Sequence, residues 1–365
     1  MDGSPLDGTR ILDLSRLLPG PYATLLLACL GAEVVKIEAP GEGDYLRGLP
    51  PLDADGMNPV FSALNRGKRS VALNLRTPDG RAALMRLAKQ ADVLVESFRP
   101  GVLARLGIDL TALREANPRL VTCSISGYAP GGPAAERAGH DLTYEALAGA
   151  LDLRPVGVKE PQPPALPLAD LAGGLFAALA ILSALLAAQR SGRGRHIALS
   201  LEESIGALLI AERAEAAAGG RPGNWLRGAR AGYRLYRCGD GRWLALAALE
   251  AKFWLAFCQA VGRPEWIARF ADADQQTLAE ELAALFVLKP AVEWVELLQR
   301  GDVPCDLVLS LAEARDYRPL PFALTGMVEP SRSAPALGAD TEAFLLATGY
   351  SAAELRALRS VGAIP

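Results

Sequence analysis

The first third of the chain alternates β-branched apolar runs with helical stretches, and that alternation restricts the fold more than any other feature. Thr9–Leu14 (TRILDL) reads as a short buried strand, and Pro19-Gly20-Pro21 breaks the chain after it. Tyr22–Leu30 reads as a helix closed by Gly31, and Glu33–Glu38 (EVVKIE) as a second strand. Parallel neighbours need a connection too long for a hairpin, so a strand–helix–strand run of this kind suits a right-handed parallel crossover. The unit recurs with the strand Ser70–Leu75, then a helix with Thr77 as N-cap and Pro78 in its first position, then the strands Val93–Glu96 and Leu120–Ile125. The expectation is an α/β fold whose large domain is a Rossmann-like, doubly wound parallel sheet. No G-x-G-x-x-G follows the first strand, and Gly20 stands alone between two prolines, so a dinucleotide redox cofactor is not expected on this sheet.

Leu171–Ala188 runs eighteen residues without a charge, long enough to span a bilayer. It is rich in alanine, flanked by Asp170 and by Gln189-Arg190, and carries no aromatic belt, so it reads as the buried central helix of the large domain and not as a membrane span. A strand at Ile197–Ser200 and a helix over Leu201–Ala218, ended by Gly219-Gly220, complete that domain, taken as residues 1–220. Arg221-Pro222-Gly223 marks a boundary. Tyr233–Tyr236 and Trp243–Ala247, joined through Gly239-Asp240-Gly241, then form a hairpin, and helices follow at Lys252–Gly262, Gln275–Leu285 and Lys289–Arg300. Residues 224–305 are expected to be a small α+β domain, and 306–365 a linker and a C-terminal return to the large one.

The bulk numbers exclude several classes. With 365 residues, 50% of them hydrophobic and 22% charged, the chain has material for one large core or two. A net charge of −3 with no dominant basic patch argues against nucleic acid as a partner. Five scattered cysteines without a CxxC pair argue against a structural metal site and against a disulfide framework, and point to a reducing cytoplasm. Met1-Asp2-Gly3-Ser4-Pro5 has neither the cationic start nor the apolar run of a signal peptide.

With only two histidines, proton transfer near neutral pH has few candidates. His140 lies in Gly139-His140-Asp141-Leu142-Thr143-Tyr144, and Asp170 is the last charge before the apolar run. Together they could hold two acid/base groups around one small substrate. Each also has a plain structural reading: a hydrogen-bonded histidine, and an N-cap on the long helix. His196, in Arg193-Gly194-Arg195-His196, reads as structural or surface, and Asp141 could point away from His140.

Several stretches resemble the family III CoA-transferases, a family that also contains the α-methylacyl-CoA racemases. They are LDGTRILDLSRLLPGPYATLLLACLGAEVVKIEAPGEGDYLR near the start, NRGKRSVALNL (Asn65–Leu75), ADVLVESFRPGVLARLGID (Ala91–Asp109) and the closing LGADTEAFLLATGYSAAELRALRSVGAI. The likeness runs nearly end to end. It implies two domains, an interlocked homodimer, and an active site between the large domain of one chain and the small domain of the other. AGHDLTYEALAGAL (Ala138–Leu151) is similar to the racemase branch, which has a histidine at the position of His140. LPLADLAGG puts Asp170 at the family's catalytic aspartate, and LALAALEAKFW puts Glu250 at a glutamate that racemases keep near the histidine. Formyl-CoA-type transferases carry a run of four glycines, and here the nearest candidate is Gly219-Gly220. The stretch Arg315-Asp316-Tyr317-Arg318-Pro319-Leu320-Pro321 departs from a histidine-containing segment of the family.

The implied chemistry is proton transfer at the α-carbon of an acyl-CoA, such as racemisation of a 2-methylacyl-CoA through an enolate-like state. His140 and Asp170 would act on opposite faces, Glu250 would orient the imidazole, and amides at the start of the helix after Asp170 would face the enolate oxygen. Coenzyme A enters as part of the substrate and no further cofactor is implied. Its phosphates need cations, for which Lys36, Arg66, Lys68, Arg69, Arg76, Arg99 and Arg105 are the candidates. The competing reading is a CoA-transferase with Asp170 as nucleophile, forming a mixed anhydride and then an aspartyl-CoA thioester. A third is a scaffold that binds CoA without turnover.

Overall fold

The computed structural model of the chain describes residues 3–219, 224–314, 318–330 and 333–365. The expected linker Arg221-Pro222-Gly223, the second glycine of Gly219-Gly220, and Arg315-Asp316-Tyr317 lie outside them. In chain order the strands are β1 (Arg10–Asp13), β2 (Glu33–Glu38), β3 (Arg69–Ala72), β4 (Val93–Glu96), β5 (Val121–Ser126), β6 (His196–Ser200), β7 (Tyr233–Arg237), β8 (Trp243–Ala247) and β9 (Cys305–Leu307). The helices are α1 (Pro19–Cys29), α2 (Pro59–Asn65), α3 (Pro78–Ala88), α4 (Val102–Arg105), α5 (Leu110–Ala116), α6 (Asp141–Ala148), α7 (Leu168–Ser191), α8 (Leu201–Leu208), α9 (Ile210–Ala217), α10 (Ala251–Ala260), α11 (Gln275–Phe286), α12 (Ala291–Arg300), α13 (Thr341–Ala347) and α14 (Ala352–Ser360). They fall into two compact units. One comprises Met1–Ala150, Pro163–Leu208 and Tyr317–Pro365, and the other Leu151–Gln162 and Leu209–Asp316.

The first unit is a six-stranded, all-parallel sheet in the order β3-β2-β1-β4-β5-β6. Its strands read as near-continuous apolar runs because both faces are covered. Ile11, Val95 and Cys123 point into a core shared with α1 and α7, while Leu12, Leu94 and Val35 point into a core shared with α3, α13 and α14. Side chains of the tail also satisfy the free edge of β3. Ser70 N donates to Asp340 Oδ2 (2.9 Å) and Ala72 N to Thr341 Oγ1 (2.9 Å), so this edge is closed to strand pairing.

Local chemistry departs from the sequence reading in three places. Pro19-Gly20-Pro21 does not break the chain but opens α1, because the first turn of a helix has no use for the N–H that proline lacks. The helix expected over 201–218 is two helices, α8 and α9, with Leu209 between them out of helical geometry (φ −86°, ψ 24°). The apolar run is longer than its uncharged stretch, since α7 starts at Leu168 and ends at Ser191. This helix is long and apolar enough to cross a membrane, and 44% of its most apolar window is buried in the protein. Gly174 lets it approach α1 closely, since a Cβ there would come within 2.8 Å of both Pro19 O and the Tyr22 ring.

The second unit is a three-stranded antiparallel sheet, β7-β8-β9, packed by α10, α11 and α12. The hairpin pattern did not reveal β9, which pairs Leu307 with Leu244 and Cys305 with Leu246. An aromatic core of Tyr236, Trp254, Phe257, Trp266, Phe286 and Trp294 holds it together. The buried indoles keep their hydrogen bonds, Trp254 Nε1 to Trp266 O and Trp294 Nε1 to Phe286 O, each 2.9 Å. The five cysteines of the chain are free and buried.

The first unit also contains a buried charge network. Lys68 Nζ sits 3.1 Å from Asp13 Oδ2, with both side chains fully buried, and it also donates to Pro21 O, Thr24 Oγ1 and Asn65 Oδ1. Lys36 Nζ, equally buried, reaches Asp44 (3.1 Å) and Ser15 O (2.9 Å). Burial works to raise Asp13, but Lys68, Lys36 and the hydroxyls of Ser15 and Thr24 outweigh it and hold the carboxyl at about 2, below its ordinary 3.8. Lys68→Met strands that carboxylate and should lower unfolding stability by about 3–5 kcal/mol, while Asp13→Leu/Lys68→Met should cost clearly less than the single change. Equal losses in urea melts of the two variants would contradict the pairing. Because the folded value is depressed, the stability that Asp13 contributes should be complete above its ordinary value and be lost as pH falls through about 2.

Candidate active site

The start of α6 holds His140 by its backbone. Thr143 Oγ1 accepts from His140 N (3.1 Å) and donates to His140 O (2.7 Å), while the imidazole itself stands exposed. Beneath it Tyr144 is buried edge-on against Tyr128, with ring centroids 5.1 Å apart. Gly139 is required at this point, because a Cβ would come within 2.5 Å of the Tyr144 ring and 2.8 Å of the Tyr128 hydroxyl.

Two carboxylates of α6, one turn apart, cap α7. Its N-cap is Pro167, which has no side chain to offer, so the first amides of the helix need partners from elsewhere. Glu145 Oε1 accepts from Leu168 N (3.1 Å) and Asp141 Oδ1 from Asp170 N (2.9 Å). Asp141 therefore points toward the site and not away from it. Asp170 is the third residue of α7 and not its N-cap, and its carboxyl makes no hydrogen bond among the described residues. Burial first, and the Asp141 charge second, push that carboxyl up to about 7. A helix N-terminus ordinarily favours the ionised form, but here other carboxylates already take two of the free amides. The expected enolate-facing amides after Asp170 are not available either: Leu171 N donates to Pro167 O (3.0 Å), and the following amides lie inside the helix.

A second cluster gathers where the strand order reverses, between β1 and β4, the place at which open α/β sheets collect ligands. Arg16 follows β1 and donates from its backbone to Ser97 Oγ (3.1 Å) beyond β4. Its guanidinium lies over the rings of Phe98 (5.4 Å) and Tyr45 (6.0 Å). Leu17 beside it has a left-handed φ of 62°, unusual for a branched residue, and its N–H donates to Asp44 (3.2 Å). Arg99 is exposed in the next loop, and its charge acts on the Tyr144 hydroxyl, linking this crevice to the carboxylates of α6 and α7. The sequence reading passed over Arg16, although its place directly after the first strand was a usable signal.

The remaining cation candidates divide by burial. Lys36 and Lys68 are interior, Lys68 bonded to four protein oxygens and Lys36 to Ser15 O and Asp44, so neither faces out toward a phosphate in this arrangement. Arg69 is paired with Asp340 (3.0 Å). Arg76 and Arg105 are exposed, and Arg66 is half-buried with an Nε that meets no acceptor. Glu250 belongs to the second unit. It is the N-cap of α10, accepting through its backbone from Phe253 N and Trp254 N (3.0 Å each), with its side chain exposed. His196 lies in β6 with Nδ1 3.0 Å from Thr122 Oγ1. Among the described residues no group of three or more His, Cys, Asp or Glu side chains could hold a metal ion.

Known proteins resemble the chain across both units. The family model of CoA-transferase family III matches residues 6–335. Acetyl-CoA:oxalate CoA-transferase of Acetobacter aceti is 34% identical over 85% of this chain and 82% of its own. Succinyl-CoA:glutarate CoA-transferase of Mus musculus is 33% identical over 85% and 73%. Human alpha-methylacyl-CoA racemase is 31% identical over 97% and 96%. Among solved structures, a CAIB/BAIF family protein from Brucella suis superposes with a TM-score of 0.83 at 30% identity, covering 95% of this chain and all of that one. With the family model spanning nearly the whole chain and the same fold in a solved relative, this protein belongs to CoA-transferase family III.

Proposed function

We propose that the protein moves a proton at the α-carbon of an acyl-CoA thioester, racemising or epimerising a 2-methylacyl-CoA. The observation that carries the reading is the carboxyl of Asp170, raised to about 7 by burial and by Asp141, the first residue of the helix whose N-cap is His140. A carboxyl at that value is populated in both protonation states near neutrality, as a group that gives a proton in one direction and takes it in the other requires. With the thioester carbonyl acidifying the α-carbon, neutral His140 removes the proton from one face and protonated Asp170 returns one to the other. The reverse reaction exchanges the roles. The near end-to-end likeness to a racemase supports this reading.

For the CoA phosphates the proposal keeps Arg66, Arg76, Arg99 and Arg105, adds Arg16 at the strand-order reversal, and leaves out Lys36, Lys68 and Arg69, which the fold engages internally. The homodimer belongs to the same proposal. It would give cover to Leu175, Leu179 and Leu186, which stand half exposed or more along α7, and the orienting role of Glu250 toward the imidazole is part of the same proposal. The free, buried cysteines suit a reducing compartment such as the cytoplasm.

A transferase reading has its own support in relatives of 33–34% identity. There the ionised Asp170 would attack the acyl carbonyl and expel CoA as thiolate, and a carboxyl half protonated at neutrality is a weaker nucleophile for that step.

Incubated in D₂O with a 2-methylacyl-CoA, the protein should place deuterium at the α-carbon. His140→Ala and Asp170→Asn should each slow exchange by about 100-fold or more. No exchange over a panel of branched acyl-CoAs, together with an acyl-CoA-dependent adduct on Asp170 trapped by hydroxylamine or borohydride, would replace this reading with the transferase one.

A further inference from the structure

We propose that Glu145 is a positioning residue for this chemistry, holding Asp141 against the N-terminus of α7 and through it setting the surroundings of Asp170. The inference rests on the proton-transfer reading above.

Glu145 is 1% exposed, and a carboxylate so deeply buried is normally paired with a cation. None of the ion pairs among the described residues includes it. Its neighbour is instead another carboxyl, Asp141 one turn back on α6, which in turn acts on Asp170 of α7. One Glu145 oxygen accepts from Leu168 N (3.1 Å), and Asp141, one turn back on the same face of α6, accepts from Asp170 N two residues further along α7, so the two carboxyls meet the same helix end side by side. Two carboxyls set side by side out of water with no cation repel each other when both are ionised, and a proton on one of them relieves that repulsion. Burial and the Asp141 neighbour raise Glu145 well above the ordinary carboxylate range, in keeping with a protonated Glu145 donating to an ionised Asp141. Asp141 in turn accepts from Asp170 N (2.9 Å), and its negative charge contributes to the raised Asp170.

The arrangement thus runs from Leu168 N–H through Glu145 and Asp141 to the backbone of Asp170. The other titratable groups around it are Tyr144 on α6 and Tyr128 after β5, with Arg99 after β4 acting on Tyr144. Glu202 and Glu203 are on α8, which packs against α6. None of these supplies a buried cation to the couple. A simple helix cap would need only the acceptor for Leu168 N. The burial of Glu145 without a cation, next to a second carboxyl that caps the same helix, is what a cap alone leaves unexplained.

Full-length Glu145→Gln, Glu145→Leu and Asp141→Asn separate the two roles. Glutamine keeps an acceptor for Leu168 N and a donor for Asp141 but cannot titrate, while leucine keeps the volume and neither bond. In carboxyl ¹³C NMR titrations the unmodified protein should show two coupled steps above the ordinary range. Glu145→Gln should lose one and keep Asp170 raised. Glu145→Leu and Asp141→Asn should each return Asp170 toward the ordinary range by about one pH unit. In α-deuterium exchange Glu145→Leu should lower kcat about tenfold with little change in KM, and Glu145→Gln should restore most of that loss while flattening one limb of the pH–rate profile.

Glu145 titrating near 4.5, or leucine and glutamine variants that leave Asp170 alike, would overturn the inference even if exchange is robust. If no exchange is found but Asp170 moves as described, the proton-transfer reading fails and the positioning of Asp170 stands.

Discussion

The buried ion pairs of Asp13 at the end of β1, Lys36 within β2 and Lys68 just before β3 anchor what the rest of the first unit presents. Lys68 and Lys36 are out of water entirely, and such burial is tolerable only when every donor finds an oxygen. The groups they find include Asp13 on β1, Asp44 ahead of α2, and the backbone oxygens of Ser15 and Pro21. Asp44 then holds the N–H of Leu17, and Lys36 holds the carbonyl of Ser15, so the loop between them is gripped on both sides. Arg16 sits inside that loop, directed over Phe98 and Tyr45 at the reversal of strand order. Lysines that look like phosphate ligands in the sequence thus act one step away, by fixing the backbone that carries a half-buried arginine.

The same unit contains two aspartates with opposite fates. Asp13 and Asp170 both lose water, and desolvation alone would raise each. Around Asp13 two lysines and two hydroxyls outweigh that cost, and the carboxyl stays ionised down to about 2. Around Asp170 no cation among the described residues offsets burial, and Asp141 adds a like charge, so the value rises to about 7. One aspartate is fitted to hold strands together and the other to exchange a proton. Residue type does not distinguish them; neighbours do.

Membership in CoA-transferase family III leaves two chemistries open to one aspartate, because relatives of similar identity carry transferase and racemase names. The physical difference between them is the protonation state the site favours. An acyl-capturing aspartate must be ionised when substrate arrives, whereas an α-proton carrier must pass through both states. The capping of α7 by Asp141 and Glu145 bears directly on that choice, since it occupies helix amides that would otherwise stabilise an ionised Asp170.

Alternating apolar runs at Ile11–Leu14, Val34–Ile37 and Val93–Val95 were enough to specify a parallel α/β sheet, because side-chain periodicity is a local property of the chain. His140 and Asp170 could likewise be singled out by residue type and motif. Strand order, the third strand Cys305–Leu307 and the opening of α1 by Pro19 were not legible, since each depends on what a segment meets after folding. Nothing in the sequence singles out Glu145, and Lys36 and Lys68 read there as candidates for the CoA phosphates. The sequence by itself determined which groups could carry charge and which runs had to be buried. Only the tertiary structure decided which charges lost their water and what faced them, and in a medium of low polarity that pairing sets whether a carboxyl serves as an anchor or as an acid.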